Sequence, residues 1–228
     1  MNALETKIHE SAVSIPVGEK RLPGELAVPA GAAGVVIFAH GSGSSRRSPR
    51  NRSVAQALQE NGLATLLFDL LTEAEEREER DTAHLRFDIS LLAQRLVAAT
   101  DWVLRQETIR DLPAGYFGSS TGAAAALVAA TDERVRAIVS RGGRPDLAGE
   151  SLGRVRAPVL LIVGGNDGQV IELNERARKR LTCENSLTLV PGATHLFEEP
   201  GALEKVARLA ASFFSKHFKE EVFGGGRR

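Results

Sequence analysis

The sequence predicts an α/β protein: a mainly parallel sheet covered by helices on both faces. Three observations carry this. Short continuous apolar runs recur along the chain, amphipathic helical stretches separate them, and glycine-rich turns stand where one gives way to the other. Apolar runs without alternation are strands buried on both faces, and alternation of strand with helix implies parallel pairing through crossovers.

In chain order, Ile8–Val17 and Arg21–Val28, broken by Gly18 and Pro23, read as an antiparallel pair. Buried strands follow at Gly34–Ala39, Leu63–Leu70, Ala114–Phe117, Val135–Val139, Pro158–Val163 and Ser186–Val190. Val54, Ala57 and Leu58 mark a helix that Asn61-Gly62 stops. Leu85, Ile89, Leu92, Leu96, Ala99 and Val103 recur at spacings of three and four, one stripe of a long helix. Val170–Leu181 and Leu203–Phe218 complete the helices, and the charged stretch Glu73–Asp81 reads as a solvated helix or loop, with a flap over the site as the rarer reading. The connection from Val139 to Pro158 is too short for a large cap domain, so the site is expected to be open. Residues 1–223 are expected to form a single domain and 224–228 a flexible tail.

The chain has 228 residues, 43% hydrophobic and 25% charged, with 29 basic and 29 acidic side chains. That balance points to neither nucleic acid nor a membrane surface as partner. The single cysteine, Cys183, makes no internal disulfide, and Met1–Glu10 lacks an apolar signal core, so the chain is expected to be cytoplasmic. Nothing in the sequence distinguishes monomer from homodimer.

The chemistry centres on Gly118-Ser119-Ser120-Thr121-Gly122, a G-x-S-x-G motif between an apolar run and the helix-forming Ala123-Ala124-Ala125-Ala126-Leu127. In that context the central serine sits on a sharp turn that small neighbours permit. Its Oγ stands clear of the sheet, and the Thr121 amide points into the same space above a helix N-terminus. Without that chemistry the segment would be a Gly/Ser turn before a helix.

A serine needs a base. Of five histidines, His9 and His217 read as surface or structural, His84 lies beside the charged stretch, and His40 ends the third strand. His195, in Gly192-Ala193-Thr194-His195-Leu196 after the last strand, lies in a loop at the carboxyl edge and is the candidate base. Asp167, in Gly164-Gly165-Asn166-Asp167-Gly168, is the candidate acid, lying between serine and histidine in the chain as this architecture requires. Asp146 is its rival and Asp69 a weaker one; Glu198 and Glu199 are too close along the chain to His195. A second oxyanion amide is expected from His40-Gly41-Ser42-Gly43, with Ser42 as first choice and Gly43 as second. A phosphate-binding loop is disfavoured, since no G-K-[ST] follows.

Together His40-Gly41-Ser42-Gly43, Gly118–Gly122, Asp167 and His195, in that order from about Gly34 to the last helix, resemble the α/β-hydrolase superfamily, and within it the dienelactone-hydrolase-like group. The resemblance implies the α/β-hydrolase fold with nucleophile Ser120, acid Asp167, base His195 and donors at Ser42 and Thr121. It departs in one respect. Dienelactone hydrolases proper use a cysteine where this chain has Ser120, and Cys183 lies far from that position.

The expected activity is hydrolysis of a small-molecule carboxylic ester or related acyl bond through an acyl-enzyme, with no metal and no cofactor. The same triad would serve a thioesterase, a peptidase or an acyltransferase, and a hydrolase-fold protein that only binds a ligand is the reading from another class. Arg46, Arg47, Arg50 and Arg52 crowd the loop after the third strand, and Arg141 and Arg144 follow the Val135–Val139 strand. Arg46 and Arg144 are the leading candidates to bind an anionic group of the substrate; salt bridges to Glu73–Glu79 are the structural alternative.

Overall fold

The computed structural model describes residues 7–82, 84–130 and 134–219; the expected tail at 224–228, residues 220–223 of the expected domain and the side chain of Asp81 lie outside the described residues. The strands are β1 Ile8–Val17, β2 Lys20–Pro29, β3 Val35–Ala39, β4 Ala64–Phe68, β5 Ala114–Ser119, β6 Val135–Arg141, β7 Val159–Gly164 and β8 Asn185–Val190. They form one sheet in the order β1-β2-β4-β3-β5-β6-β7-β8. The β1–β2 and β2–β4 pairs are antiparallel, and all others are parallel.

The helices are α1 Pro49–Glu60, α2 Glu73–Thr82, α3 Ile89–Val103, α4 Thr121–Ala129, α5 Gly168–Arg178 and α6 Ala202–Lys219. They divide the core into two apolar layers. α1 and α6 bury Val54, Leu58, Val206, Ala210 and Phe214 against Val36, Phe38, Phe117 and Val139 on one face. On the other, α3 and α4 bury Leu92, Leu96, Val103, Ala124 and Leu127 against Val35, Ile37, Leu66 and Tyr116. The sheet is covered on both sides, which is why its central strands read as unbroken apolar runs. Between β6 and β7 the chain makes only a 3₁₀ segment, Pro145–Arg154. No large cap is inserted there. Among the described residues, no helix is long and apolar enough to cross a membrane.

Four details differ from the sequence reading. Pro23 lies inside β2, facing Ser14, and the turn falls at Gly18-Glu19, between the paired Val17 and Lys20. Counting alternate pairs from Val17/Lys20, Ser14/Pro23 is a non-hydrogen-bonded pair, so the missing N–H costs no bond to β1; on the other side, at the end of the β2–β4 ladder, the Pro23 carbonyl accepts from the Asp69 amide at 3.0 Å. The stripe from Leu85 to Val103 is divided: Leu85 belongs to a 3₁₀ turn, Leu85–Phe87, and α3 starts after Asp88, whose carboxylate caps it by accepting from the Leu91 amide at 2.9 Å. β8 lies at the sheet edge rather than inside it, leaving Leu189 44% exposed. And α2 turns Glu75 and Glu79 inward, 8% and 0% exposed, so the charged stretch is not a solvated helix all round.

Candidate active site

The carboxyl ends of the parallel strands bring the predicted residues to one edge. β5 runs through Ser119, and the chain reverses at Ser120 (φ 50°, ψ −122°), a conformation that costs a non-glycine residue of order 1–3 kcal/mol unless its surroundings impose it. Here they do. The Ser120 amide donates to the Arg141 carbonyl at 3.4 Å, and the Ser120 carbonyl accepts from the Ala123 and Arg144 amides, each at 3.1 Å. Ser120 is partly exposed between buried Ser119 and Thr121.

The flanking glycines are steric requirements. A Cβ on Gly118 would lie 2.4 Å from the Ala123 Cα, and one on Gly122 would lie 2.1 Å from the Ala39 carbonyl oxygen. Both clashes are with backbone, which cannot swing aside. Gly122→Ala is therefore expected to cost about 3 kcal/mol or more. Urea denaturation checks this: the midpoint should fall while the slope stays near that of the parent.

Asp167 and His195 are brought together by stitched loops. The Gly165 amide donates to the Val190 carbonyl at 2.8 Å, and the Asn166 amide to the Ala193 carbonyl at 2.9 Å. His195 Nδ1 donates to Asp167 Oδ2 at 2.7 Å. An ionised carboxylate only accepts, so this bond puts the proton on Nδ1 and leaves Nε2 free to accept one. The loop bends at Phe197, which is buried with φ 57°. The His195 ring lies against the end of β6, its Cε1 3.5 Å from where a Gly142 Cβ would stand. Gly142 follows Arg141, whose carbonyl holds the Ser120 amide, so serine and imidazole border the same corner. Among the described residues, Ser120 Oγ makes no hydrogen bond to His195. Such contacts commonly tighten only with substrate bound.

The rival acids have other partners. Asp146 takes both arms of the Arg144 guanidinium, at 2.9 and 2.8 Å. Asp69 accepts from the Arg46 amide at 2.7 Å and from its guanidinium. The same contacts bear on the two arginines expected to read an anion. Arg46 and Arg144 are each neutralised by an aspartate, and neither pairs with Glu73–Glu79.

The loop after β3 is pinned by His40. Its Nδ1 donates to the Gly41 carbonyl and its Nε2 accepts from the Leu70 amide, each at 3.0 Å. Burial pushes His40 below its ordinary pKa, outweighing the opposite pull of that carbonyl and of Asp69. It is a neutral brace between the ends of β3 and β4. The Ser42 amide, first choice as oxyanion donor, is engaged: it donates to Thr121 Oγ1 at 2.9 Å. Gly43, at φ 69°, has an amide without an acceptor among the described residues. The Thr121 amide opens α4, one of the four positions that helix geometry leaves without an intrahelical acceptor.

Beside these amides is a small cleft lined by Ser42, Gly43, Leu71, Glu76, Arg86 and Thr121. α2 and the 3₁₀ turn after it therefore wall the site. Sequence reasoning missed Arg86. Buried Glu79 anchors it, Nε to Oε2 at 2.9 Å, a pair hidden in the charge run.

A sequence model described as an alpha/beta hydrolase domain matches residues 32–212. The chain is similar to the crystal structure of a dienelactone hydrolase from Anabaena variabilis: 57% identity, 92% of this chain and 98% of that one covered, TM-score 0.90. Est1E from Butyrivibrio proteoclasticus shares the fold at 17% identity and TM-score 0.75, with 90% of this chain and 98% of that one covered. A Mycobacterium tuberculosis protein named "Putative phosphoribosyl transferase" is 56% identical over 217 residues, 94% of this chain and 48% of that protein. The chain thus spans about half the length of the curated relatives it matches.

Proposed function

This chain belongs to the α/β-hydrolase family, in its dienelactone-hydrolase-like group, and on that premise we propose that it is a serine hydrolase cleaving a carboxylic ester or related acyl bond of a small molecule. The observation that carries the reading is the His195–Asp167 hydrogen bond at 2.7 Å, formed at the corner where Ser120 is held in a strained turn.

In the reaction, Ser120 Oγ attacks the substrate carbonyl carbon while His195 Nε2 takes the hydroxyl proton. Asp167 fixes the tautomer and stabilises the imidazolium. The oxyanion is held by the Thr121 amide and by Gly43, or by Ser42 once the Thr121 hydroxyl turns away from it. His195 then protonates the leaving group, and water enters by the same route to free the acid and restore Ser120. Exposed Phe87, Leu147 and Leu196, on segments following β4, β6 and β8 at this edge, supply apolar surface for the acyl or leaving group. The transferase name belongs to relatives about twice as long, and we assign no transferase step to these residues.

Fluorophosphonate labelling with mass mapping tests the reading. One adduct on Ser120, lost in His195→Ala, is the expected result. A folded parent protein that takes no label would sink it in favour of a ligand-binding protein without turnover.

A further inference from the structure

The nucleophile corner holds a buried guanidinium, that of Arg141, which no carboxylate among the described residues neutralises. Arg141 ends β6 and is 8% exposed. Among the described residues its one side-chain hydrogen bond runs from Nη2 to the neutral Oδ1 of Asn51, at 3.4 Å, an acceptor that Ser119 Oγ shares at 3.2 Å. Its Nη1 is buried and has no partner among the described residues. The charge acting on Arg141 is another cation, Arg50 of α1; burial first, and Arg50 second, pull the Arg141 guanidinium down to about 10. Arg50 keeps one arm on Glu198, at 3.0 Å on the exposed side, but its Nε is also buried without a partner. Glu199 accepts from the Thr194 amide at 3.1 Å and forms no ion pair with either arginine.

A buried guanidinium without a counter-ion is costly, by several kcal/mol. The remaining groups add to the positive potential. Asn51 lies in the first turn of α1, a helix of 12 residues capped by the Ser48 hydroxyl and with no acidic side chain in that turn to offset its macrodipole. Asn51 ties the N-terminal turn of α1 to Arg141 and Ser119, and Arg50 is near enough for its charge to act on Arg141; the group lies one residue from the nucleophile in β-sheet register, since Arg141 pairs with Ser119.

We propose that Arg141, Arg50 and the first turn of α1 form a binding site for one anionic group of carboxylate or phosphate size beside Ser120. The incoming anion replaces Glu198 on Arg50, an exposed and weakly held pair, and satisfies the two buried N–H groups. The donors fit either an anionic substituent of the substrate or a free inorganic anion. The first source rests on the serine-hydrolase reading; the second does not. The site takes over the role that the sequence suggested for Arg46 and Arg144.

Two measurements on the full chain, made with the parent, Arg141→Gln and Arg50→Gln, test this. Thermal melts are run against inorganic phosphate and acetate at constant ionic strength. The kcat/KM ratio is measured for the para-nitrophenyl monoester of succinate against the butyrate ester. A substrate source predicts that the ratio favours succinate in the parent and falls about tenfold or more in both variants, the effect of losing a charged hydrogen bond. A free-anion source predicts a saturable rise in Tm in the parent that Arg141→Gln loses and Arg50→Gln weakens, with an unchanged ratio. No saturable rise with either anion, together with equal ratios in all three proteins, overturns the site. A parent that hydrolyses neither ester removes the hydrolase reading and leaves the melts to decide the anion site. Arg50, one third exposed, keeps the test readable should Arg141→Gln not fold.

Discussion

Ser120→Ala and His195→Ala are each expected to lower kcat/KM toward an activated ester by roughly 10⁴–10⁶-fold, and the double variant by no more than the worse single one. The non-additivity follows from the mechanism: without its base the serine is a poor nucleophile, and without the serine the base has nothing to activate. The oxyanion amides survive both changes and account for what rate remains. Asp167→Asn probes a different step. Its shape is conserved, but an amide facing Nδ1 donates instead of accepting, which turns the imidazole so that Nε2 carries the hydrogen. A loss of about 10⁴ is expected from that change alone. Asp146→Asn and Asp69→Asn are the controls, because Arg144 and Arg46 occupy those carboxylates; both should stay within a few-fold of the parent. Turnover by Ser120→Ala within tenfold of the parent would discard the serine mechanism, and a large loss in Asp146→Asn with none in Asp167→Asn would reassign the acid.

How much of this was legible in the sequence depends on the range of the interaction concerned. The strands at β3 to β7 were readable because burial on both faces leaves a signature in each short segment. The sharp turn at Ser120 and the meeting of Asp167 with His195 were readable because each lies in a local turn context, and their order narrows the choice. What stayed hidden was pairing across the fold. Arg46 and Arg144 look like free cations in a linear string, and only the fold places Asp69 on one and Asp146, two residues on, in bidentate reach of the other. Ser42 and Gly43 were indistinguishable because the group that separates them, the Thr121 hydroxyl, is 79 residues away in sequence. The same holds for the acidic run. Its composition describes a solvated helix, while the partners that bury two of its glutamates lie elsewhere in the chain, one of them on α3.

That buried pairing yields the largest stability effect expected outside the elbow. Glu75 is gripped by both arms of Arg95, each at 2.6 Å, and by Lys20, and it accepts from the Thr72 amide at 2.8 Å. Arg95 is 3% exposed, and its only other partner among the described residues is the Leu70 carbonyl. Glu75→Gln would leave that guanidinium buried without its counter-charge, at a cost of about 3–5 kcal/mol. For a chain of this size that is a fall in Tm of roughly 6–20 °C. The pH dependence has a defined sign. Burial pushes the Glu75 carboxyl up, but the bonds from Arg95, Lys20 and Thr72 outweigh it and hold the folded-state pKa well below the ordinary 4.5. Its contribution is therefore present above that ordinary value and is lost as pH falls below it, so the gap in Tm between parent and Glu75→Gln should narrow from neutral pH toward pH of about 3. Because α2 also carries Glu76 into the cleft beside Gly43 and Thr121, loosening it should raise KM more than it lowers kcat. A Tm gap that stayed constant with pH would mean that the carboxylate charge contributes nothing, and the stabilisation would have to be assigned to packing of α2 alone.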